Sequence, residues 1–259
     1  MDRGFLFGDG IYEVVSVYQG KIFSLNEHLQ RLQKSLDSVK IANPHTQKQW
    51  LEICNKLLSY APKGDYSIYF QITRGVGAER KHDFETLTPT VYLQLSKLVL
   101  KGKKLLSQGF SAITQEDIRW HRCDIKSTSL LANTLYAQNA KENQVEEVIL
   151  QRNNIITEGA TSNVFILKNN ILQTHPTDNN ILAGITRDLT LKSADACSLE
   201  INESTFNRDD LMSADEVWIS SSTREIMPIN KIDSQAINNG KIGKYWNCVY
   251  DHYQQLKND

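Results

Sequence analysis

Hydrophobic positions along the chain switch repeatedly between a period of two and a period near 3.6, which predicts strands alternating with helices. Residues 10–24, GIYEVVSVYQGKIFS, read as two strands around a turn at Gln19 and Gly20. Leu29, Leu32, Leu36 and Val39 then recur at helical spacing, with Asn26 placed to cap that helix. A second helix is predicted over residues 46–60, burying Trp50, Ile53, Leu57 and Leu58. In YSIYFQITRG the side chains of Tyr66, Ile68, Phe70 and Ile72 alternate along a strand. The polar loop GVGAERKHDFET leads from there into a strand at TVYLQL.

The segment KLVLKGKKLLSQG is basic, lacks sustained periodicity and reads as a linker. It divides the chain into a small α+β domain over residues 1–97, a linker over 98–108 and a large mixed α/β domain over 109–259. The second part opens with a strand at 109–114 and the segment EDIRWHRCDIKST. There Ile118, Trp120 and Ile125 suggest a mostly buried extended stretch, and a helix should begin near Ser127, carrying Leu130, Leu131, Leu135 and Ala137. Strands at VEEVILQR and TSNVFILKN are joined through RNNIITEG, with Asn153 and Asn154 as the turn. A helix follows from Thr186 after Gly184, then a strand at DEVWISSS and a hairpin. A terminal helix closes the chain, with Tyr245, Val249, Tyr253 and Leu256 on one side. The pattern amounts to a two-domain fold of mixed α+β and α/β character.

Composition narrows the function classes. The formal net charge is -1, from 29 basic and 30 acidic residues, so nothing points to nucleic acid, which usually selects a basic excess or patch. The four cysteines are widely scattered, without a CxxC pair or metal-type spacing with histidine, and read as buried or free thiols in a reducing compartment. The start, MDRGFLFGDGIYEVV, has no basic leader followed by an apolar stretch, and no apolar run is long enough to span a bilayer. A soluble, cytoplasmic protein is the expectation, with no metal site, membrane contact or nucleic-acid partner.

One residue is out of place. Lys126 ends the apolar stretch just before the polar run Ser127, Thr128 and Ser129. A lysine there could simply reach out to solvent from a strand end. Held in apolar surroundings instead, its amine could form a Schiff base with a carbonyl. If that carbonyl belongs to pyridoxal phosphate, a carboxylate must keep the pyridine nitrogen protonated, and a nest of N–H and hydroxyl groups must hold the phosphate. Glu158, in ITEGATSNVF, can supply the carboxylate, although a loop glutamate in water fits the same pattern. Gly184, Ile185 and Thr186 stand where a helix begins, and Ser220, Ser221, Ser222 and Thr223 where a strand ends. Taken singly, these read as a plain N-cap and a polar turn. Arg80 and His82 are two apart in an extended loop, so their side chains can converge, and arginine grips a carboxylate through paired hydrogen bonds. A solvated basic loop tip is the alternative.

Together these stretches do more. RGFLFGDGIYEVV, NEHLQRLQKS, WHRCDIKSTSLLAN, ITEGATSNVF, GITRD and SSSTREIMP resemble, in order, the motifs of the class IV, fold-type IV aminotransferases, and within that family its D-amino-acid branch. The resemblance runs from about residue 2 to about residue 250. It implies pyridoxal 5'-phosphate as cofactor, with Lys126 as the Schiff-base lysine and proton shuttle and Glu158 at the pyridinium nitrogen. Arg31 would bind the phosphate with Ile185, Thr186 and Ser222. Without the family, Arg31 would be read as pairing with Glu27 one helical turn away. Tyr12 would line the substrate pocket, and Arg80 and His82 would complete a trap for the substrate α-carboxylate, reaching across from the second subunit of a homodimer. The implied reaction moves an amino group between a D-amino acid, such as D-alanine or D-glutamate, and a 2-oxo acid, 2-oxoglutarate or pyruvate. It further implies protonation on the cofactor face opposite to that used by the common L-aminotransferases. The alternatives within the same fold are a branched-chain L-amino-acid aminotransferase, against which the Arg80/His82 pair argues, and an aminodeoxychorismate lyase. A non-catalytic scaffold is the reading from outside enzymology. Family members usually carry strand-forming residues ahead of the RGYxFGDG block, whereas here the block begins at Asp2-Arg3-Gly4-Phe5. A start assigned late or a shortened chain would explain this, and the shortening would uncover an edge of the small-domain sheet.

Overall fold

The computed structural model describes residues 1–257, which separate into two compact units. The first comprises Met1–Val99 together with Ile125–Leu130, and the second Leu100–Asp124 together with Leu131–Asp259. In the first unit a short helix α1 (Arg3–Phe7) precedes strands β1 (Gly10–Tyr18) and β2 (Lys21–Ile22), helices α2 (Leu25–Ser38) and α3 (Gln47–Leu58), and strands β3 (Tyr66–Thr73) and β4 (Thr90–Lys97). Among the described residues the strands form one antiparallel sheet in the order β2-β1-β3-β4.

The hairpin between β1 and β2 turns on Gln19 and Gly20, both at positive φ, the geometry whose twist matches the flanking strands. Helix α2 starts one residue before the expected cap: Ser24 occupies the N-cap position and Asn26 lies inside the helix. Helix α3 is capped by Thr46 and Gln49, each side chain answering the other's backbone N–H. The core of this unit is built from Leu29, Leu32 and Leu36 of α2, Trp50 and Cys54 of α3, and Ile68, Phe70 and Ile72 of β3. Each large apolar side chain fully buried there contributes about 1.5–3 kcal/mol. The buried face of α3 differs from the expected one: Cys54 is fully buried with Trp50, while Ile53, Leu57 and Leu58 pack only partly.

In the second unit, α4 (Lys103–Leu106) falls inside the stretch read as a linker and is followed by β5 (Phe110–Glu116), α5 (Leu131–Glu142), β6 (Glu147–Arg152), β7 (Ile155–Gly159), β8 (Asn163–Lys168) and β9 (Ile171–Thr174). Then come α6 (Ile185–Ala196), β10 (Glu200–Glu203), α7 (Arg208–Met212), β11 (Glu216–Ser221), β12 (Glu225–Ile232), β13 (Gln235–Ala236), a single 3-10 turn over Asn238–Gly240 and α8 (Lys244–Leu256). Among the described residues nine strands form one mixed sheet in the order β10-β9-β8-β11-β12-β5-β6-β7, with β13 on β12. The pairs β10/β9, β12/β5 and β5/β6 are parallel. The mixed helix-and-sheet content is that expected. Helix α8 is held at its start by Glu216, which accepts from the backbone N–H groups of Tyr245 and Trp246. Its buried face carries Trp246, Val249, Tyr250 and Tyr253, so the helix is turned slightly from the face the sequence suggested.

Two expectations fail here. Residues 117–130 are irregular rather than a buried extended stretch running into a helix. Ile118 is 66% and Trp120 46% exposed, Ile125 alone is buried, and α5 begins only at Leu131. The stretch bends because polar groups claim its backbone: the Tyr136 hydroxyl accepts from Ile118 N–H, and Cys123 N–H donates to Asn179 O. The cysteines are not all thiols either. Cys54 and Cys123 are buried thiols, each pushed up to about 11 by burial. Cys197 and Cys248 are bonded as a disulfide across 51 residues of sequence, because α6 packs beside α8 and brings their Cα atoms to 6.1 Å.

Candidate active site

Lys126 sits on a segment docked against the start of β1. Tyr12 N–H donates to Lys126 O at 3.0 Å, Thr128 N–H donates to Gly10 O at 2.9 Å, and Ile11 bridges Ser127. The Thr128 hydroxyl adds bonds to the carbonyls of Gly8 and Gly10. The lysine backbone is thus fixed on the strand that carries Tyr12. Its amine lies 4.3 Å from the centroid of the Tyr12 ring, a cation–π distance, and that ring stacks in turn on Tyr69 at 5.6 Å. Lys126 is half-buried, as a side chain must be that is both shielded and reachable.

Beside it on β1, the fully buried Glu13 takes two hydrogen bonds from Arg31, Nε at 2.8 Å and Nη2 at 2.7 Å, and one contact from His28 Nδ1 at 2.7 Å. Arg31 therefore pairs with a strand carboxylate and not with Glu27. Burial alone would raise the Glu13 carboxyl, but the charge and hydrogen bonds of Arg31 outweigh it and hold the group well below the usual carboxylate range. His28 is held below its ordinary value, first by burial, against the pull of Glu13. Sequence reasoning passed over Glu13. Its signal was a lone acidic residue at an inward position of the apolar strand GIYEVV.

Arg80 and His82 lie in the connection from β3 to β4, residues 74–89, which has no regular secondary structure. Their side chains are exposed and each lies near Phe7: the Arg80 guanidinium 5.0 Å and the His82 ring 5.5 Å from its ring. Among the described residues no hydrogen bond, ion pair or ring contact joins either one to Lys126 or Tyr12. The neck of this loop is pinched at Gly75, whose φ is +106° and where an added Cβ would stand 2.0 Å from Thr88 O. Only glycine fits that turn.

In the second unit Glu158 lies on β7 and is 5% exposed. Its Oε1 accepts from Arg119 Nη1 at 2.5 Å, and its Oε2 from Asn163 Nδ2 at 3.1 Å and from Leu182 N–H at 3.0 Å. Arg119 gives its other edge to Asp117, through Nε and Nη2, both at 2.9 Å. Burial pushes the Glu158 carboxyl above its ordinary value, against the pull of Arg119. Ile185 and Thr186 open α6 behind Gly184, which occupies the N-cap without any side chain to cap the first N–H groups. An added Cβ at Gly184 would stand 2.1 Å from Asn163 Oδ1, and Asn163 also donates to Leu182 O at 2.8 Å. Asn163, absent from the sequence reading, therefore links Glu158 to the approach of α6. Ser222 stands in the turn between β11 and β12, two residues after Ser220, whose buried hydroxyl has no hydrogen-bond partner among the described residues.

The expected residues thus fall into two sets. Tyr12, Arg31, Arg80, His82 and Lys126 belong to the first unit, and Glu158, Ile185, Thr186 and Ser222 to the second. The second set fits a phosphorylated pyridine cofactor on the chemistry of its donors: a buried carboxylate for a ring nitrogen, and an uncapped helix start with hydroxyl groups for a phosphate.

Comparison with known proteins gives the same reading. The family model described as amino-transferase class IV matches residues 10–232. The D-alanine aminotransferase of Bacillus licheniformis is 41% identical over 243 residues, covering 93% of this chain and 85% of the relative. That of Listeria monocytogenes serotype 1/2a, strain 10403S, is 41% identical over 244 residues, covering 93% and 84%. Among solved structures, a branched-chain amino acid aminotransferase of Escherichia coli superposes with a TM-score of 0.90 at 24% identity, over 99% of this chain and 88% of that one. A branched-chain aminotransferase of Thermoproteus uzoniensis gives 0.87 at 22% identity, over 99% and 88%. At such identities these two structures speak for the fold alone.

Proposed function

Because the chain belongs to the class IV amino-transferase family, whose members use pyridoxal 5'-phosphate, we propose that it is a D-amino-acid aminotransferase. The reaction moves an amino group between a D-amino acid such as D-alanine or D-glutamate and a 2-oxo acid, 2-oxoglutarate or pyruvate. The observation that carries this reading is the 41% identity to D-alanine aminotransferases across 93% of the chain.

When bound, the cofactor supplies an aldehyde that takes up the amino group and a ring that accepts the electron pair left as Cα loses its proton. Lys126 would hold the cofactor aldehyde covalently, and its amine would serve as the general acid–base that carries the proton between Cα and the cofactor C4' position. The Tyr12 ring under the amine fixes where that proton is handled. Glu158 keeps a proton on the ring nitrogen. On the first unit Arg31, oriented by Glu13, would offer its guanidinium to phosphate; on the second, Ile185, Thr186 and Ser222 would offer N–H and hydroxyl groups to it. Arg80 and His82 receive the substrate α-carboxylate, with Tyr12 lining the pocket.

A homodimer and a cytoplasmic home go with this function. No helix among the described residues is long and apolar enough to cross a membrane. Thiol titration of the denatured protein, taken directly from cells, tests the compartment: four reactive thiols fit a reducing one, whereas two mean that the Cys197–Cys248 bond persists.

The decisive experiment is a chirality panel. D- and L-forms of alanine and leucine are offered with 2-oxoglutarate, those of glutamate with pyruvate, and release of the donor's oxo acid is followed. Release from the D-forms, lost in Lys126→Ala, is expected. Activity confined to L-leucine would overturn the reading, and pyruvate release from aminodeoxychorismate alone would assign the lyase reaction instead.

A further inference from the structure

The residue that organises the Arg80/His82 loop is not in the loop. Arg3, the first residue of α1, is 5% exposed, and its guanidinium is spent almost wholly on backbone. Nη1 donates to Lys81 O at 2.7 Å and to Asp83 O at 3.2 Å, and Nη2 donates to His82 O at 3.1 Å. Three consecutive carbonyls, those flanking and including His82, therefore point at one buried cation. Nε donates to Asp9 Oδ2 at 2.9 Å, which fixes the angle of the fork. Asp9 is itself gripped by Arg74 through Nε at 2.8 Å and Nη2 at 2.9 Å, so the base of the clasp is rigid.

The rest of α1 serves the same end. Asp2 caps the helix by accepting from Gly4 N–H, and its other oxygen takes the hydroxyls of Thr73 and Thr90, the residues where β3 ends and β4 begins. The backbone N–H of Arg3 donates to Gly75 O, and Asp2 bridges Val76. At the far end of the helix, Phe7 offers its ring to the side chains of both Arg80 and His82. A connection this long without secondary structure, beyond about 12–15 residues, is normally either functional or loose. Among its described residues the pairing stops at the neck, where Val76 bridges Asp2, and beyond it the Arg3 fork holds the backbone of Lys81, His82 and Asp83.

We propose that Arg3 is a positioning residue for substrate binding: it presents Arg80 and His82 as a preformed receptor for the α-carboxylate. The proposal rests on the reading of that pair as the carboxylate trap. Ordering the loop in advance removes an entropic penalty that each binding event would otherwise carry, so Arg3 acts on substrate affinity and leaves the chemistry at Lys126 alone.

Arg3→Lys tests it, because an ammonium keeps the charge near Asp9 but has no planar fork to span three carbonyls. In the holoenzyme the variant is expected to raise KM for the D-amino acid and for the 2-oxo acid about tenfold, with kcat changed less than about threefold. Its cofactor absorption spectrum stays that of the wild type. A second readout needs no turnover: trypsin cuts after Arg80 or Lys81 in the loop, located by mass spectrometry, at least about fivefold faster than in wild type. Cys54→Ala, on the buried face of α3, supplies a destabilised control that touches neither loop nor clasp. An Arg3→Lys enzyme with wild-type KM and wild-type nicking overturns the proposal, as does a KM rise matched by Cys54→Ala. Arg80→Gln separates the two claims. If it leaves KM unchanged, the trap reading fails and the affinity role of Arg3 falls with it, while the nicking rate still decides whether Arg3 orders the loop.

Discussion

Two glutamates in this protein share burial, a strand position and an arginine partner, yet their carboxyls move in opposite directions. Glu13 is fully buried and held far below its ordinary value, whereas Glu158, 5% exposed, is pushed above it. Desolvation is the largest influence on both and raises both. What separates them is how the partner's hydrogen bonds are divided. Glu13 receives two donors from Arg31 and a third from His28. Glu158 receives a single end of Arg119, whose paired edge is committed to Asp117, a second carboxylate that repels Glu158. Burial does not decide whether an acid is comfortable as an anion; the sharing of its counter-charge does.

The contrast can be broken most violently at Arg31. Arg31→Leu leaves Glu13 buried and short of its main partner, and a loss of about 3–5 kcal/mol of unfolding free energy is expected in denaturant titrations. Neutralising the acids themselves should separate the pair next. Glu13→Gln forfeits charge-assisted bonds and is expected to lose about 2–3 kcal/mol. Glu158→Gln removes a charge that burial disfavours and should stay within about 1 kcal/mol of wild type. Equal losses in the two variants would mean that the division of Arg119 is not what distinguishes them.

The subtlest expectation is in the pH dependence of stability, measured as Tm on cofactor-free protein so that ligand linkage does not enter. The folded pKa of Glu13 is depressed, so its contribution is present above the unfolded value near about 4.3 and is lost as pH falls through the folded one. Glu13→Gln should therefore flatten the acid limb of the profile. The folded pKa of Glu158 is raised, so its contribution is complete below about 4.3 and is lost as pH rises through the folded value. Glu158→Gln should gain on wild type as pH rises toward neutrality. Parallel profiles for the two variants would sink this account.

Local pattern was a good guide wherever a residue's fate depended on its near neighbours. The alternation at Tyr66, Ile68, Phe70 and Ile72 became β3, the turn at Asn153 and Asn154 has both residues at positive φ, and the start of α6 lies behind Gly184. Pattern failed where a distant group made the choice. Arg31 had Glu27 one turn away, but Glu13 is buried on the neighbouring strand, where an ion pair is stronger than at an exposed helix surface. Ile118 and Trp120 looked like core residues because hydrophobicity alone cannot say which side of a bent, irregular segment faces inward. Cys197 and Cys248 are partners only through the packing of α6 on α8. At the site, residue types carried by motif were legible, while the groups that steady them, Arg3, Glu13, Arg119 and Asn163, act through contacts no spacing reveals.

The pinch at Gly75 against Thr88 has a use for protein engineering. Because the loop is gathered at its base, sequence variation at the tip need not propagate into the register of β3 and β4. Libraries that randomise residues 79–85 while leaving position 75 as glycine would vary Arg80, His82 and their neighbours without disturbing that turn. A library that includes position 75 would spend most of its members on chains that cannot close the turn.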